Sequence, residues 1–148
     1  MGKVMNGEHV FLSGVLQPVE RVICMVLKID PEEDMDWKKY SVCAGVFSVL
    51  SLFVLWAILC FQKFLPLPPE GIEGTSWHRG FNTAASFTTT TNWQDYSGES
   101  TLSYFSQMLG LNFQNFVSAA LGIAVLFALI RGLVRVKTTG LGNFYTAM

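Results

Sequence analysis

Charge is scarce and unevenly spread in this chain of 148 residues: only 14% of them are Asp, Glu, Lys or Arg. None lies between Lys39 and Lys63, and none between Glu99 and Arg131. A soluble domain of this size cannot hide two such stretches, because a short chain buries too small a share of its surface. The net charge of −1 is uninformative about nucleic acid, but the cations form no basic patch, so no nucleic-acid partner is expected. Cysteine is sparse too. Cys24, Cys43 and Cys60 are far apart, which argues against a disulfide framework or a zinc site and leaves small buried thiols. There is no phosphate-binding glycine loop, no phosphorylatable aspartate motif and no nucleophile–base pair. The chain is therefore not expected to be catalytic itself or to carry an organic cofactor. Residues 1–17 have neither a basic leader nor a small-residue cleavage site, so no cleaved signal peptide is expected.

What is present is an apolar, polar, apolar order. About 20 apolar residues cross a bilayer core of roughly 30 Å. The spacing assigns one transmembrane helix to 37–63 (Val42, Val46, Phe47, Leu50 and Phe53 among its body) and a second to 109–130 (Phe113, Phe116, Val117, Leu121, Ile123). Lys38 and Lys39 precede the first; Arg131, Arg135 and Lys137 follow the second. By the positive-inside rule both ends are cytoplasmic, with 1–36 and 131–148 inside and 64–108 outside. The expected class is an all-α integral membrane protein, multi-pass, with lipid as its first partner.

Within 1–36, Val19, Val22, Ile23, Val26 and Leu27 fall at helical spacing after Pro18, an amphipathic helix suited to the cytoplasmic interface or to a partner subunit. Asp30, Pro31 and Glu33 read as the start of a further short helix. Outside, Phe64-Leu-Pro-Leu-Pro-Pro69 is a stiff connector. A helix from Trp77 to Thr88 follows, with Trp77, Phe81, Ala84 and Ala85 on a shared face. Its 12 residues span about 18 Å, enough to descend halfway into the bilayer and stop. Backbone that turns irregular at that depth is tolerated only in protein or against water.

The turn is made by Phe87-Thr-Thr-Thr-Thr-Asn-Trp-Gln94. A helix C-terminus presents partial negative charge, and backbone and hydroxyl oxygens can replace the water shell of a potassium ion. Asp95 and Glu99 follow, placed to concentrate cations at an outer mouth. One loop cannot encircle an ion, so several are needed. Ser118 and Gly122, with Ala120 and Ala124, form a small-residue stripe suited to close helix packing.

Several segments closely resemble the potassium-binding, channel-like subunit of the bacterial Kdp potassium-transporting ATPase. They are Phe81-Asn-Thr-Ala-Ala-Ser-Phe87, Thr91-Asn-Trp-Gln94, Tyr96-Ser-Gly-Glu-Ser-Thr-Leu-Ser-Tyr-Phe-Ser-Gln-Met108 and Gln114-Asn-Phe-Val-Ser-Ala-Ala120. Gly122-Ile-Ala-Val, Ala128-Leu-Ile-Arg131, Leu141-Gly-Asn143, Val19-Glu-Arg21 and Asp36-Trp-Lys-Lys-Tyr40 extend the likeness over roughly 18–144.

The resemblance implies four helix–pore loop–helix repeats around one filter in a longer chain, of which this sequence looks like the first repeat alone. It also implies a bacterial inner-membrane location and partners: a catalytic P-type ATPase subunit, small accessory subunits, and the remaining repeats of the same subunit. Carried over by position, Thr89, Thr90, Thr91 and Asn92 are this repeat's potassium-binding filter strand, with Gln94 beside its outer end. Two positions depart from the family: a hydrophobic residue is usual at Thr88 and asparagine at Thr90. A β-branched residue at Thr90 resists the left-handed backbone expected there. Two other readings stand beside this one: a non-conducting scaffold or truncated remnant that assembles with the transporter, and a homotetrameric minimal cation channel.

Overall fold

The computed structural model describes residues 34–66, 75–134 and 140–148. The expected amphipathic helix at 18–28, the Asp30–Glu33 helix start, Pro68 and Pro69, and Arg135 and Lys137 lie outside these. The described residues form helices α1 (Trp37–Cys60), α2 (Trp77–Thr88), the single turn α3 (Gly98–Thr101), α4 (Ser106–Val134) and the short α5 (Phe144–Ala147). Among them the one extended pairing is an isolated bridge between Asp36 and Gly140.

The 24 residues of α1 and 29 of α4 give rods of about 36 and 44 Å, each longer than a bilayer core. Only 11% of the apolar stretch of α1 and 17% of that of α4 is buried within the chain. A core helix of a soluble protein would be mostly covered. The protein is an all-helical membrane protein.

α4 begins earlier and ends later than the sequence expectation of 109–130, and its first seven residues, Ser106–Asn112, are wound as a π-helix. Its start is set by Ser103, whose hydroxyl accepts from the Ser106 amide at 3.1 Å and donates to the Ser106 hydroxyl at 3.0 Å. Such a cap satisfies an otherwise orphaned donor. Gly110 lets the widened turn press on α1: a Cβ there would lie 3.2 Å from Leu55 and 3.4 Å from Ile58.

Two apolar clusters hold the hairpin. The upper one joins Leu55 and Leu59 of α1 to Ala84 and Phe87 of α2 and to Leu102 and Leu111. The lower one joins Met35, Tyr40 and Ala128 to Phe144, which is wholly buried. Phe144 meets the Tyr40 ring edge-on at 5.4 Å. Here the chain after α4 returns and seals the end of the α1–α4 pair. Leu141 N–H donates to Met35 C=O at 2.9 Å, Met35 N–H to Gly142 C=O at 3.2 Å, and Gly142 N–H to Asp34. Gly142 has φ +89°, and any side chain there would strike the Arg131 guanidinium, which donates to Leu141 C=O at 3.1 Å.

The α2 face turned to the rest of the chain is not centred on the one that Trp77, Phe81, Ala84 and Ala85 share. Gly80, Thr83, Ala84 and Phe87 are the buried residues, whereas Trp77 and Phe81 are 61% and 42% exposed. Small residues at 80, 83 and 84 let α2 approach α1 closely, which pushes the bulky rings to the rim. A Cβ on Gly122 would meet nothing within 4 Å. Within the chain, α4 meets α1 through Gln114, Ala124 and Ala128.

Candidate ion-binding site

The site begins where α2 stops. Its last turn passes directly into the threonine run because the loop folds back on the helix end. Thr89 N–H donates to Ala85 C=O (3.0 Å) and Thr90 N–H to Phe87 C=O (3.4 Å). Thr91 and Asn92 N–H both donate to Ser86 C=O, at 2.9 and 3.2 Å. Trp93 N–H donates to the Ser86 hydroxyl. Five successive amides thus turn inward onto three helix residues.

Backbone handedness explains the convergence. Thr90 and Asn92 have φ of +58° and +52°, while Thr89 sits at −91°. Alternating right- and left-handed residues aim successive N–H groups into one concavity, filled here by the Ser86 carbonyl. A trans peptide sets each C=O opposite the next residue's N–H. The carbonyls of Thr89, Thr90, Thr91 and Asn92 therefore point away from α2, on the exposed side of the loop.

Among the described residues no donor meets the carbonyls of Thr90, Thr91 or Asn92, and the Thr89 carbonyl accepts only the Thr90 hydroxyl, at 2.7 Å. The Thr89 and Thr91 hydroxyls lie 3.1 Å apart. Gln94 follows, with its Oε1 buried and without a partner among the described residues. The expected bare helix C-terminus is corrected: the carbonyls of Ala85, Ser86 and Phe87 are taken up by the loop, and the free oxygens belong to the loop itself.

The returning strand is pinned to α2 at two further levels. The hydroxyls of Thr83 and Tyr96 are 2.8 Å apart, and Arg79 pairs with Asp95 at 3.3 Å. Burial raises the Tyr96 phenol above its ordinary range, with Asp95 adding to the rise while the Thr83 bond and Arg79 oppose it. The phenol stays protonated at neutral pH. Arg79 and Asp95 are about half exposed, so that ion pair contributes little.

Behind the loop, Gln114 of α4 reaches Ser51 of α1 at 3.4 Å and Thr88 at 3.5 Å, the longest and weakest of these contacts. Beyond the N-terminal end of α2, Gln62 is a polar node. It donates to Thr75 (2.8 Å) and to Thr101 C=O (3.0 Å) and accepts from Ser103 N–H (3.1 Å). No sequence pattern singled out Ser86 or Gln62. Ser86 lies on α2 and Gln62 in a single 3₁₀ turn, Gln62–Phe64, after α1, and their partners are far along the chain or face them only after the loop turns.

Two membrane-length helices around a half-length helix and an oxygen-edged loop define a re-entrant membrane repeat. The family described as potassium-transporting ATPase A subunit matches residues 1–148. The potassium-transporting ATPase potassium-binding subunit of Clostridium botulinum (strain Alaska E43 / Type E3) is 63% identical over 145 residues, 98% of this chain and 25% of that protein. Its counterpart in Clostridium perfringens is 61% identical over 145 residues, 98% of this chain and 25% of that protein. That of Pseudomonas fluorescens (strain Pf0-1) is 49% identical over 146 residues, 99% of this chain and 26% of that protein. The chain belongs to the family of potassium-transporting ATPase A subunits. It spans about a quarter of the length of these relatives.

Proposed function

We propose that this chain supplies one of the oxygen-lined loops of a potassium-binding and translocating membrane subunit. Thr89, Thr90, Thr91 and Asn92 present backbone carbonyls, with hydroxyls alongside, and the Gln94 amide oxygen stands at the outer end. The observation that carries this reading is the inward turn of the amides of residues 89–93, which leaves the carbonyls of Thr90, Thr91 and Asn92 facing outward, without donors among the described residues. Uncharged oxygens suit a potassium ion that must be bound and released, since they replace its hydration shell without the grip of a carboxylate.

The loop offers oxygens from one side only, so three-quarters of an ion's surroundings come from further repeats of the same subunit. The Gln94 oxygen, buried and unmatched, fits a cation or a water held between such repeats. Energy for uptake comes from ATP hydrolysis on a partner P-type ATPase subunit, accompanied by small accessory subunits. The complex sits in the bacterial inner membrane. The flanking cations support a loop that faces outside, with 1–36 and 131–148 in the cytoplasm.

The test is potassium-limited growth of a transport-deficient cell that carries the chain with its partner subunits. Growth is expected to fail when Thr89, Thr90 and Thr91 are all changed to Pro, which cannot hold the left-handed turn that directs these carbonyls. Undiminished growth removes these residues from the ion path.

A further inference from the structure

We infer that Ser86 is the positioning residue of this loop: its hydroxyl fixes the direction of the Asn92 carbonyl and with it the loop's ion discrimination. The inference rests on the reading of residues 89–92 as ion ligands and adds a residue that touches no ion. Ser86 grips the loop twice. Its backbone carbonyl takes the amides of Thr91 and Asn92, and its side-chain oxygen takes the amide of Trp93.

The two grips differ in what else could replace them. The Thr91 and Asn92 amides are held by a main-chain oxygen that no substitution removes. The Trp93 amide has the hydroxyl alone, and its indole is 71% exposed with no ring partner among the described residues. Because the peptide is trans, the Trp93 N–H and the Asn92 C=O point in opposite directions. Holding one holds the other. Asn92 is itself left-handed at φ +52°, a region uncommon for residues other than glycine. Arg79, Thr83 and Ser86 follow each other at helical spacing on α2 and meet Asp95, Tyr96 and Trp93 on the returning strand. Ser86 is the member of this row that reaches the ligand-bearing segment.

The experiment places the whole chain in the position of the matching quarter of the Clostridium botulinum relative, assembled with its partner subunits, and measures potassium- and rubidium-stimulated ATP hydrolysis. Ser86→Ala is expected to raise the KM for potassium about fivefold, the loss of one hydrogen bond. It should also change the potassium-to-rubidium KM ratio and leave the maximal rate unchanged. Ser86→Thr, which keeps an acceptor at the same place, is expected to restore both. Hydrogen exchange followed by mass spectrometry on the same variants should show faster exchange confined to residues 91–94.

Unchanged KM and unchanged ratio in Ser86→Ala overturn the inference, provided Asn92→Val raises the KM in the same assembly. If Asn92→Val also has no effect, the ion-ligand reading falls and the inference falls with it. If Ser86→Ala loosens α1, α2 and α4 alike, the residue is merely structural and the inference is overturned.

Discussion

The Tyr40 hydroxyl donates a 2.8 Å hydrogen bond to the Ala124 carbonyl, tying α1 to α4 across 84 residues of sequence. Beside this bond the Phe144 ring fills the end of the hairpin, wholly buried. The two contributions differ in size. Tyr40→Phe removes one hydrogen bond and keeps the ring, at a cost of about 1 kcal/mol. Phe144→Ala empties a packed site, at about 3 to 5 kcal/mol. Thermal unfolding of the detergent-solubilised protein, followed by tryptophan fluorescence, should therefore fall far more for Phe144→Ala. Equal shifts would show that the returning segment is not seated as described.

Thr90 carries strain that can be relieved. A β-branched L-residue at φ +58° costs about 1 to 2 kcal/mol, while its exposed bond to Thr89 C=O contributes less than that. Strain wins. Thr90→Asn, whose side chain tolerates left-handed backbone, is expected to raise the melting temperature and to free the Thr89 carbonyl. A lower melting temperature would contradict the left-handed assignment.

Two polar contacts at the α2 end of the hairpin should respond very differently. Gln62→Leu strands the Thr75 hydroxyl, the Thr101 carbonyl and the Ser103 amide in a buried place, and about 3 kcal/mol of stability is expected to go. Asp95→Asn breaks an ion pair whose partners are about half exposed, and less than about 1 kcal/mol is expected. Chemical unfolding of both variants side by side checks the order.

Tyr96 gives a pH signature. Its folded-state pKa lies above the ordinary value of 10.0, chiefly through burial. The folded protein therefore holds the phenolic proton more tightly than the unfolded chain. Its contribution is fully present below about pH 10 and is lost as pH rises through the raised value. Ultraviolet titration of phenolate should show a late-ionising component that shrinks in Tyr96→Phe, with the loop loosening at the same pH. A Tyr96 phenol that ionises at its ordinary pH would show that the ring is not buried against α2 as described.

Much of the architecture was legible before any coordinates. Charge-free runs between Lys39 and Lys63 and between Glu99 and Arg131 leave few options but long apolar helices. The 12 residues from Trp77 to Thr88 fix a helix too short to cross. The strain at Thr90 was also readable, because φ preference is a property of one residue type.

Other features were not legible. Trp77 and Phe81 look like packing residues by size, yet Gly80, Thr83 and Ala84 decide the contact by allowing close approach. Phe144 sits in a segment with no apolar run around it, and its burial depends on a groove made by Tyr40, Phe47 and Ala128.

The sequence by itself determined which segments are apolar enough for long helices, how deep α2 can reach, and which oxygens stand at its end, since length and residue chemistry are local. Tertiary structure decided where those oxygens point. That direction depends on Ser86, Thr83 and Arg79 meeting residues 91–96 after the chain has turned, and an amide's partner across a turn is set by geometry no single residue carries.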